Sequence, residues 1–195
     1  MAIDLQLITE IKKQLPREAR LPVQKRFQAA FQKTKNKMIV DFLNHPVTLE
    51  LKGGINASNI SGTLGGATNL FSFIGFDSSY DPIQPIENIL NQTNYKFIKI
   101  TSKSVEFLID IPEPKEIFSA TPMPWANGRS WARGIESGIS GLGYYLKVSR
   151  DSSRSGLGIQ SPRRVRGSGV KFKNTQYISA LIKQYKKEFE NLKSI

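Results

Sequence analysis

The chain has 195 residues, a formal net charge of +12 at pH 7, and no cysteine, which excludes disulfides, thiolate metal sites and cysteine nucleophiles. No apolar run approaches the ~18 residues that cross a bilayer, so the sequence predicts a soluble, unsecreted protein without a membrane partner. The positive charge predicts attraction to nucleic acid, to anionic lipid or to an acidic protein.

The length suits one domain, 1–195, and the order of patterns predicts an α+β fold. We expect an antiparallel β-sheet covered by N-terminal helices and a C-terminal helix, with long loops or arms. The expected parts are a helical segment 1–44, a sheet-rich core 45–148, a basic flexible arm 149–169, and a strand and helix in 170–195.

Two helices are predicted in the N-terminal part. Apolar residues recur at helical spacing over 3–15, and Pro16 ends that pattern. A second helix over 22–43 carries one buried stripe, which consists of Phe27, Phe31, Thr34, Met38 and Phe42. The basic residues on its other faces fit a solvated surface better than a dedicated nucleic-acid helix.

The middle of the chain predicts strands and a hairpin. Segments 46–51 and 69–76 are expected to be strands, and 83–90 is expected to be a short helix or loop. Alternating apolar residues over 95–101 and 105–111 predict a hairpin, with Val105, Phe107, Ile109 and Ile111 on one face.

The last third mixes glycine, aromatic and basic residues. We expect a helical turn over 133–138, a strand over 144–148, and a C-terminal helix capped by Asn174 or Thr175. The face predicted to be buried on that helix comprises Ile178, Leu181, Ile182, Tyr185, Phe189 and Leu192.

The segment 53–66, called here the glycine-rich loop, leads directly into the aromatic run 69–76. It has neither a Gly-Lys-Ser/Thr ending nor a following helix start, so it does not match a phosphate loop. We interpret it as a pliable inter-subunit loop, held by a neighbouring chain rather than by a small ligand. Its proposed contact residues are Gly53, Gly54, Asn56, Asn59, Ser61, Gly62 and Leu64.

Aromatic and basic side chains supply the other candidate site residues. Core or interface anchors are expected at Trp125, Trp131, Phe71 and Phe73. Guanidinium groups bind phosphate or carboxylate bidentately, which predicts contacts with DNA or an acidic partner. The candidates are Arg129, Arg133, Arg150, Arg154, Arg163, Arg164 and Arg166. A solvated loop without function remains the alternative for the arginine-rich arm.

Few residues of the sequence fit a catalytic or metal-binding site. His45 is the only histidine, and no Gly-x-Ser-x-Gly elbow accompanies it. His45 next to Pro46 fits a helix terminus, and Asp77 with Asp81 fits a turn better than a cation site. We therefore predict no catalytic residue, no metal and no cofactor, and a hydrolase using His45 and Glu136 is the least favoured hypothesis.

The order of elements resembles the neck and tail-completion proteins of long-tailed bacteriophages, the group that includes the minor tail protein Z of lambda-like phages. A Thr-Gly-x-Leu tract of that group is matched by Ser61-Gly62-Thr63-Leu64. Its Tyr-Ala-x-x-x-Glu-x-Gly tract is matched by Trp131, Ala132, Glu136 and Gly138. The chain departs from the pattern by an insertion between Tyr80 and Tyr95 and by the basic arm 149–169.

The resemblance implies a structural virion protein at the head-to-tail junction, in a neck, tail-completion or tail-terminator role. It further implies a homo-oligomeric ring without catalysis that contacts other phage neck and tail proteins, and it allows contact with packaged DNA. From the charge alone, the alternative is a stand-alone nucleic-acid-binding protein. If the glycine-rich loop serves assembly only, deletion of 56–61 should impair assembly more than folding.

Overall fold

The computed structural model describes residues 5–10, 20–66, 68–100, 104–124, 126–138, 145–146, 159–160 and 172–194. By their contacts, the residues group into two compact units. Unit 1 comprises Met1–Phe42, Glu87–Pro114 and Ser179–Ile195, and unit 2 comprises Leu43–Ile86 and Lys115–Ile178. Helices and antiparallel sheets occur together, which confirms the predicted α+β class.

Unit 1 is built on a three-stranded antiparallel sheet. Its strands are β1 (Leu5–Glu10), β2 (Asn94–Ile100) and β3 (Ser104–Asp110), in the order β1-β3-β2. The predicted hairpin forms β2 and β3, and its turn lies outside the described residues. Val105, Phe107, Ile109 and Ile111 are all buried, as the alternation predicted.

The predicted helix over 3–15 is wrong where the structure describes it, because Leu5–Glu10 is a strand. It pairs with β3 from Leu5 opposite Ile109 to Glu10 opposite Ser104. The apolar spacing of this segment satisfies a helical template, but β3 offers it a full row of backbone hydrogen bonds. Tertiary pairing of this kind overrides local propensity.

Helix α1 (Arg20–Leu43) buries four residues of the predicted stripe, Phe27, Phe31, Met38 and Phe42, whereas Thr34 is half-buried. The Phe27 ring stacks on Phe107 with 3.9 Å between centroids, and it meets Tyr95 edge-on. Phe31 contacts Tyr95 and also Phe189 on the C-terminal helix α7 (Ile178–Glu190). Helix α7 begins after Asn174 and Thr175, so neither residue is its immediate cap.

The face predicted to be buried on the C-terminal helix is largely confirmed. Ile178, Ile182, Tyr185 and Phe189 are buried on α7, and Leu181 is half-buried. Leu192 is buried in the 3₁₀ helix Asn191–Ser194 that follows.

Unit 2 contains the first of two corrections from strand to helix. Residues 46–51, predicted as a strand, lie in α2 (Pro46–Lys52). Pro46 is in the first turn, where a missing N–H costs nothing, and the His45 side chain accepts a hydrogen bond from Val47 N. The His-Pro pair therefore ends α1 and also starts the next helix.

The second correction concerns 69–76, which contains the helix α3 (Leu70–Ile74) rather than a strand. Asn69 caps its start by accepting from Ser72 N at 2.8 Å. Gly75 ends it in the left-handed conformation, with φ 91°. The apolar run of this segment lacks alternation because the helix is buried on nearly every side, with Leu70, Phe71, Phe73 and Ile74 in the core.

Two of the remaining helices were predicted, whereas the sequence pattern assigned no element to 114–119, 122–123 or 126–130. Helix α4 (Gln84–Asn91) and helix α6 (Trp131–Ser137) match the expected short helices. Helix α5 (Pro114–Ser119) precedes the two-stranded sheet of β4 (Pro122–Met123) and β5 (Ala126–Ser130). A second two-stranded sheet pairs β6 (Tyr145–Leu146) with β7 (Ile159–Gln160), and the rest of the predicted arm 149–169 lies outside the described residues.

Candidate functional site

A buried carboxylate organises the glycine-rich loop. Glu50 lies on α2 and is completely buried. Its oxygens accept hydrogen bonds from Asn59 Nδ2 at 2.9 and 3.1 Å, and from Ser61 N at 2.9 Å and Ser61 Oγ at 2.6 Å. Leu70 N, at the start of α3, donates at 2.6 Å. All of its partners are donors, and no Lys or Arg among the described residues forms an ion pair with it.

Two asparagines extend this arrangement through the loop. Asn59 donates to Glu50, and its Oδ1 accepts from Leu64 N at 3.1 Å and Gly66 N at 3.2 Å. Asn69 caps α3, and its Nδ2 donates to the carbonyl oxygens of Ile55 and Ala57, each at 2.9 Å. The side-chain amides thus replace the backbone ladder that a loop lacks.

The glycines of the loop provide backbone conformations that other residues rarely adopt. Gly54, Gly62, Gly65 and Gly66 have φ values of 63°, 66°, 58° and 81°. Glycine occupies this left-handed region without a steric penalty. The composition that predicts a pliable segment therefore encodes a defined path around Glu50.

The loop presents apolar side chains outward. Ile55 is 50% exposed and Ile60 is 55% exposed, and Leu49 on the supporting helix α2 is 43% exposed. By contrast, Thr63 and Leu64 are buried, and Thr63 O accepts from Lys173 N at 2.8 Å. The polar side chains of Asn59 and Ser61 are directed to Glu50, whereas isoleucines face solvent.

The prediction that a ligand or a neighbouring chain must hold the loop is therefore revised, because its own chain holds it. Of the proposed contact residues, Asn59, Ser61 and Leu64 are engaged internally. Gly53, Gly54, Asn56 and Gly62 remain on the surface or close to it. Sequence reasoning missed Glu50 because a strand was predicted there, and missed Ile55 and Ile60 because glycine and asparagine dominate the composition.

A second feature of unit 2 is a groove of about 670 Å³ with basic side chains on its rim, called here the basic groove. Arg129 from β5, Arg133 from α6 and Lys115 from α5 line it, and all three are exposed. The other lining residues are Phe118, Ser119, Pro122, Met123, Gly128, Ser130, Gly134, Ser137 and Gly138. Within the described part of the chain, no carboxylate lines the groove.

The hydroxyl groups of the basic groove are largely engaged within the chain. Ser119 Oγ donates to Lys115 O at 2.9 Å, and Ser137 Oγ donates to Arg133 O at 2.8 Å. Ser130 Oγ accepts from Arg133 N at 3.1 Å and lies 2.7 Å from Thr121 Oγ1. Recognition in the groove therefore depends on its cationic groups and apolar walls.

The structure brings together two of the seven arginines predicted to bind DNA or an acidic partner, Arg129 and Arg133. Lys115 was not predicted, because nothing in the sequence places α5 beside β5 and α6. The remaining candidates, Trp125, Arg150, Arg154, Arg163, Arg164 and Arg166, lie outside the described residues. The other predicted anchors, Phe71, Phe73 and Trp131, are buried in unit 2, where Trp131 meets Phe76 edge-on at 5.8 Å.

The contacts of His45 are those of a residue that caps the start of a helix. Its Nδ1 accepts from Val47 N at 3.2 Å, and its ring lies 4.9 Å from that of Tyr177. Burial lowers the pKa of His45, and a hydrogen bond with the Gln176 backbone acts in the opposite direction. Tyr177 in turn shares a hydrogen bond with Thr48 at 2.8 Å, and burial raises its pKa well above the usual range.

Unit 1 has a polar groove of about 680 Å³ beside α1 and the end of α4. Lys35 lies in it, and burial lowers the pKa of this ammonium group. Lys35 Nζ donates to Asn91 O at 2.6 Å and to Thr93 O at 2.9 Å, near the carboxyl end of α4. Its cation therefore stabilises a helix end, as the helix dipole favours.

Searches across the described residues find no helix long and apolar enough to cross a membrane. The same residues contain no group of three or more His, Asp or Glu side chains arranged to hold a metal ion. Comparison of the chain with protein-family models, with curated protein sequences and with solved structures finds no match.

Proposed function

We propose that this chain is a structural virion protein at the head-to-tail junction of a tailed bacteriophage. In this proposal it assembles as a homo-oligomeric ring, in a neck, tail-completion or tail-terminator role, and has no catalytic activity. The proposal rests on the resemblance of two sequence tracts, 61–64 and 131–138, and on one structural observation, the fixed glycine-rich loop with exposed isoleucines. The element order supports it less, because Leu5–Glu10 is a strand and Leu70–Ile74 is a helix.

The loop has the properties of a docking element. A loop that is ordered before binding loses less conformational entropy on association, so more of its contact energy appears as affinity. Ile55 and Ile60 expose apolar surface at 50% and 55%, which costs free energy until a partner covers it. The hydrogen bonds of Asn59 and Ser61 to Glu50 hold these isoleucines in place.

The test is an assembly measurement on a variant that leaves the Glu50 contacts intact. Ile55→Asp with Ile60→Asp places charge on the proposed interface, and we expect it to remove the ring from light scattering and electron micrographs. Val40→Asp is the matched control, because Val40 is 52% exposed on α1. Deletion of 56–61 cannot serve here, since it would remove two partners of a buried carboxylate.

A wild-type chain that stays monomeric at all concentrations and with head and tail extracts of the phage would overturn the proposal. Normal rings formed by the Ile55→Asp, Ile60→Asp variant would remove the loop from the interface. Circular dichroism and thermal melting of both variants separate failed assembly from failed folding.

The net charge of +12 supports a second candidate, a stand-alone nucleic-acid-binding protein. Lys115, Arg129 and Arg133, which line the basic groove, would be among its phosphate contacts. Binding to duplex DNA should then weaken with salt with a log–log slope of about −0.9 per phosphate contact. Arg133→Gln should reduce that slope by about one contact, and an unchanged slope would exclude the groove from DNA binding.

A further inference from the structure

We propose that the basic groove binds an acidic, partly apolar segment of a partner protein. Carboxylates of that segment pair with Lys115 and Arg133, and an apolar side chain rests on Phe118 and Met123. This inference names one partner surface of the proposed junction protein, but its test uses the isolated chain and does not depend on ring formation.

The charges of the groove call for an anionic ligand. Lys115 and Arg133 are exposed, and neither forms an ion pair with another described residue. No Asp or Glu is among the described residues that line the groove, so an incoming carboxylate meets no like charge from them. An exposed guanidinium can bind a carboxylate through two parallel hydrogen bonds.

The walls of the groove favour a peptide over a nucleic acid. Among the described lining residues Phe118 alone is aromatic, and it is half-buried, whereas binding of a single strand uses successive aromatic side chains for successive bases. A rigid duplex, whose major groove alone is about 12 Å wide, is too thick to enter a concave site of about 670 Å³. That volume is within the ordinary range of ligand sites.

The groove also lacks the features of a small-phosphate site. The Oγ of Ser130 already accepts the hydrogen bond of Arg133 N at the start of α6. The Oγ groups of Ser119 and Ser137 donate to backbone carbonyls instead of facing the ligand as donors. A free phosphate would meet long cationic side chains alone, whereas an extended segment can also cover Met123 and Phe118.

The test is fluorescence anisotropy of a labelled peptide of alternating Glu and Leu residues with the full chain at low salt. We expect saturable binding with one peptide per chain. Arg133→Gln with Lys115→Gln should weaken it by at least tenfold, the effect of losing roughly one charge-assisted hydrogen bond. Arg26→Gln with Lys33→Gln on α1 removes the same charge from residues that do not line the groove and should change affinity less than twofold.

Three outcomes would overturn the inference. Equal weakening by the two double variants would mean that binding follows net charge alone. Displacement of the peptide by an equimolar duplex or single-stranded oligonucleotide would assign the groove to nucleic acid. Equal affinity for a peptide of alternating Glu and Ser would show that no apolar side chain of the ligand contacts Phe118 and Met123. If the chain binds the peptide but never forms rings, this inference holds and the proposed ring-forming function is contradicted.

Discussion

At the scale of single residues, Glu50 connects three parts of unit 2, namely α2, the glycine-rich loop and the start of α3. Its two oxygens accept from Asn59, Ser61 and Leu70, so either oxygen faces donors only. An amide in its place must direct its NH₂ group at one of these donors. This side chain therefore fixes both the loop and the start of α3.

We predict that Glu50→Gln lowers the free energy of unfolding by about 2 kcal/mol or more, because each buried donor without an acceptor costs about 1–3 kcal/mol. Urea denaturation monitored by fluorescence measures the change. Glu190→Gln, at an exposed position on α7, is the control with the same loss of charge. Equal stability of both variants would show that Glu50 does not organise the loop.

His45 predicts a pH dependence of stability. Its pKa in the folded protein is lowered below the ordinary value of 6.5, chiefly by burial. Between these two pKa values the unfolded chain binds more protons than the folded chain, so stability rises with pH. The contribution is complete above the ordinary pKa and is lost as pH falls through it toward the folded pKa.

His45→Asn keeps a side-chain acceptor for Val47 N but does not titrate. We expect the fall in melting temperature between about pH 7.5 and about pH 5.5 to be smaller for this variant than for wild type. Lys52→Gln, on the same helix, controls for the general effect of charge. An identical fall in His45→Asn and wild type would contradict the assignment.

At the scale of elements, α1 contacts the sheet of unit 1 through aromatic rings. Phe27 is 2% exposed and is stacked on Phe107. Phe27→Ala should lower the free energy of unfolding by about 3–5 kcal/mol, because the cavity cannot close around two rings. Leu21→Ala on the same helix is the control, since Leu21 is 66% exposed and should change stability by less than about 0.5 kcal/mol.

Long elements were predictable from the sequence because their periodicity repeats over many residues. Helix α1 carries five stripe positions, and the hairpin alternates over two strands. The short helices α2 and α3 have fewer than two full turns, so their periodicity is too short to identify them. They can be recognised only by the capping residues at their ends. His45-Pro46 was interpreted only as an end, and Asn69 with Gly75 was not interpreted as a helix start and stop.

At the scale of the whole molecule, the charge of +12 sets opposite salt dependences for the proposed interactions. Subunits of like charge repel, and salt screens this repulsion. We predict that raising ionic strength from about 0.05 M to about 0.5 M strengthens the homo-oligomer and weakens binding of acidic peptide or DNA. Sedimentation velocity measures the first and anisotropy the second; dissociation of the oligomer by salt would place ion pairs in its interface.

Much of the candidate site could not be predicted, for a reason of geometry. Arg129 and Arg133 are close in sequence and were selected for their chemistry. Lys115 joins them only because α5 lies beside β5 and α6, which the sequence does not show. Glu50 was missed because a carboxylate in a predicted strand gives no sign of the donors that will surround it.

The partners of Glu50 are close to it along the chain, at separations of nine, eleven and twenty residues. Contacts this local close small loops and favour early formation during folding. The spacing Glu-x8-Asn-x-Ser-x7-Asn, from Glu50 to Asn69, is a pattern by which distant relatives with the same internal support can be found when overall identity has faded.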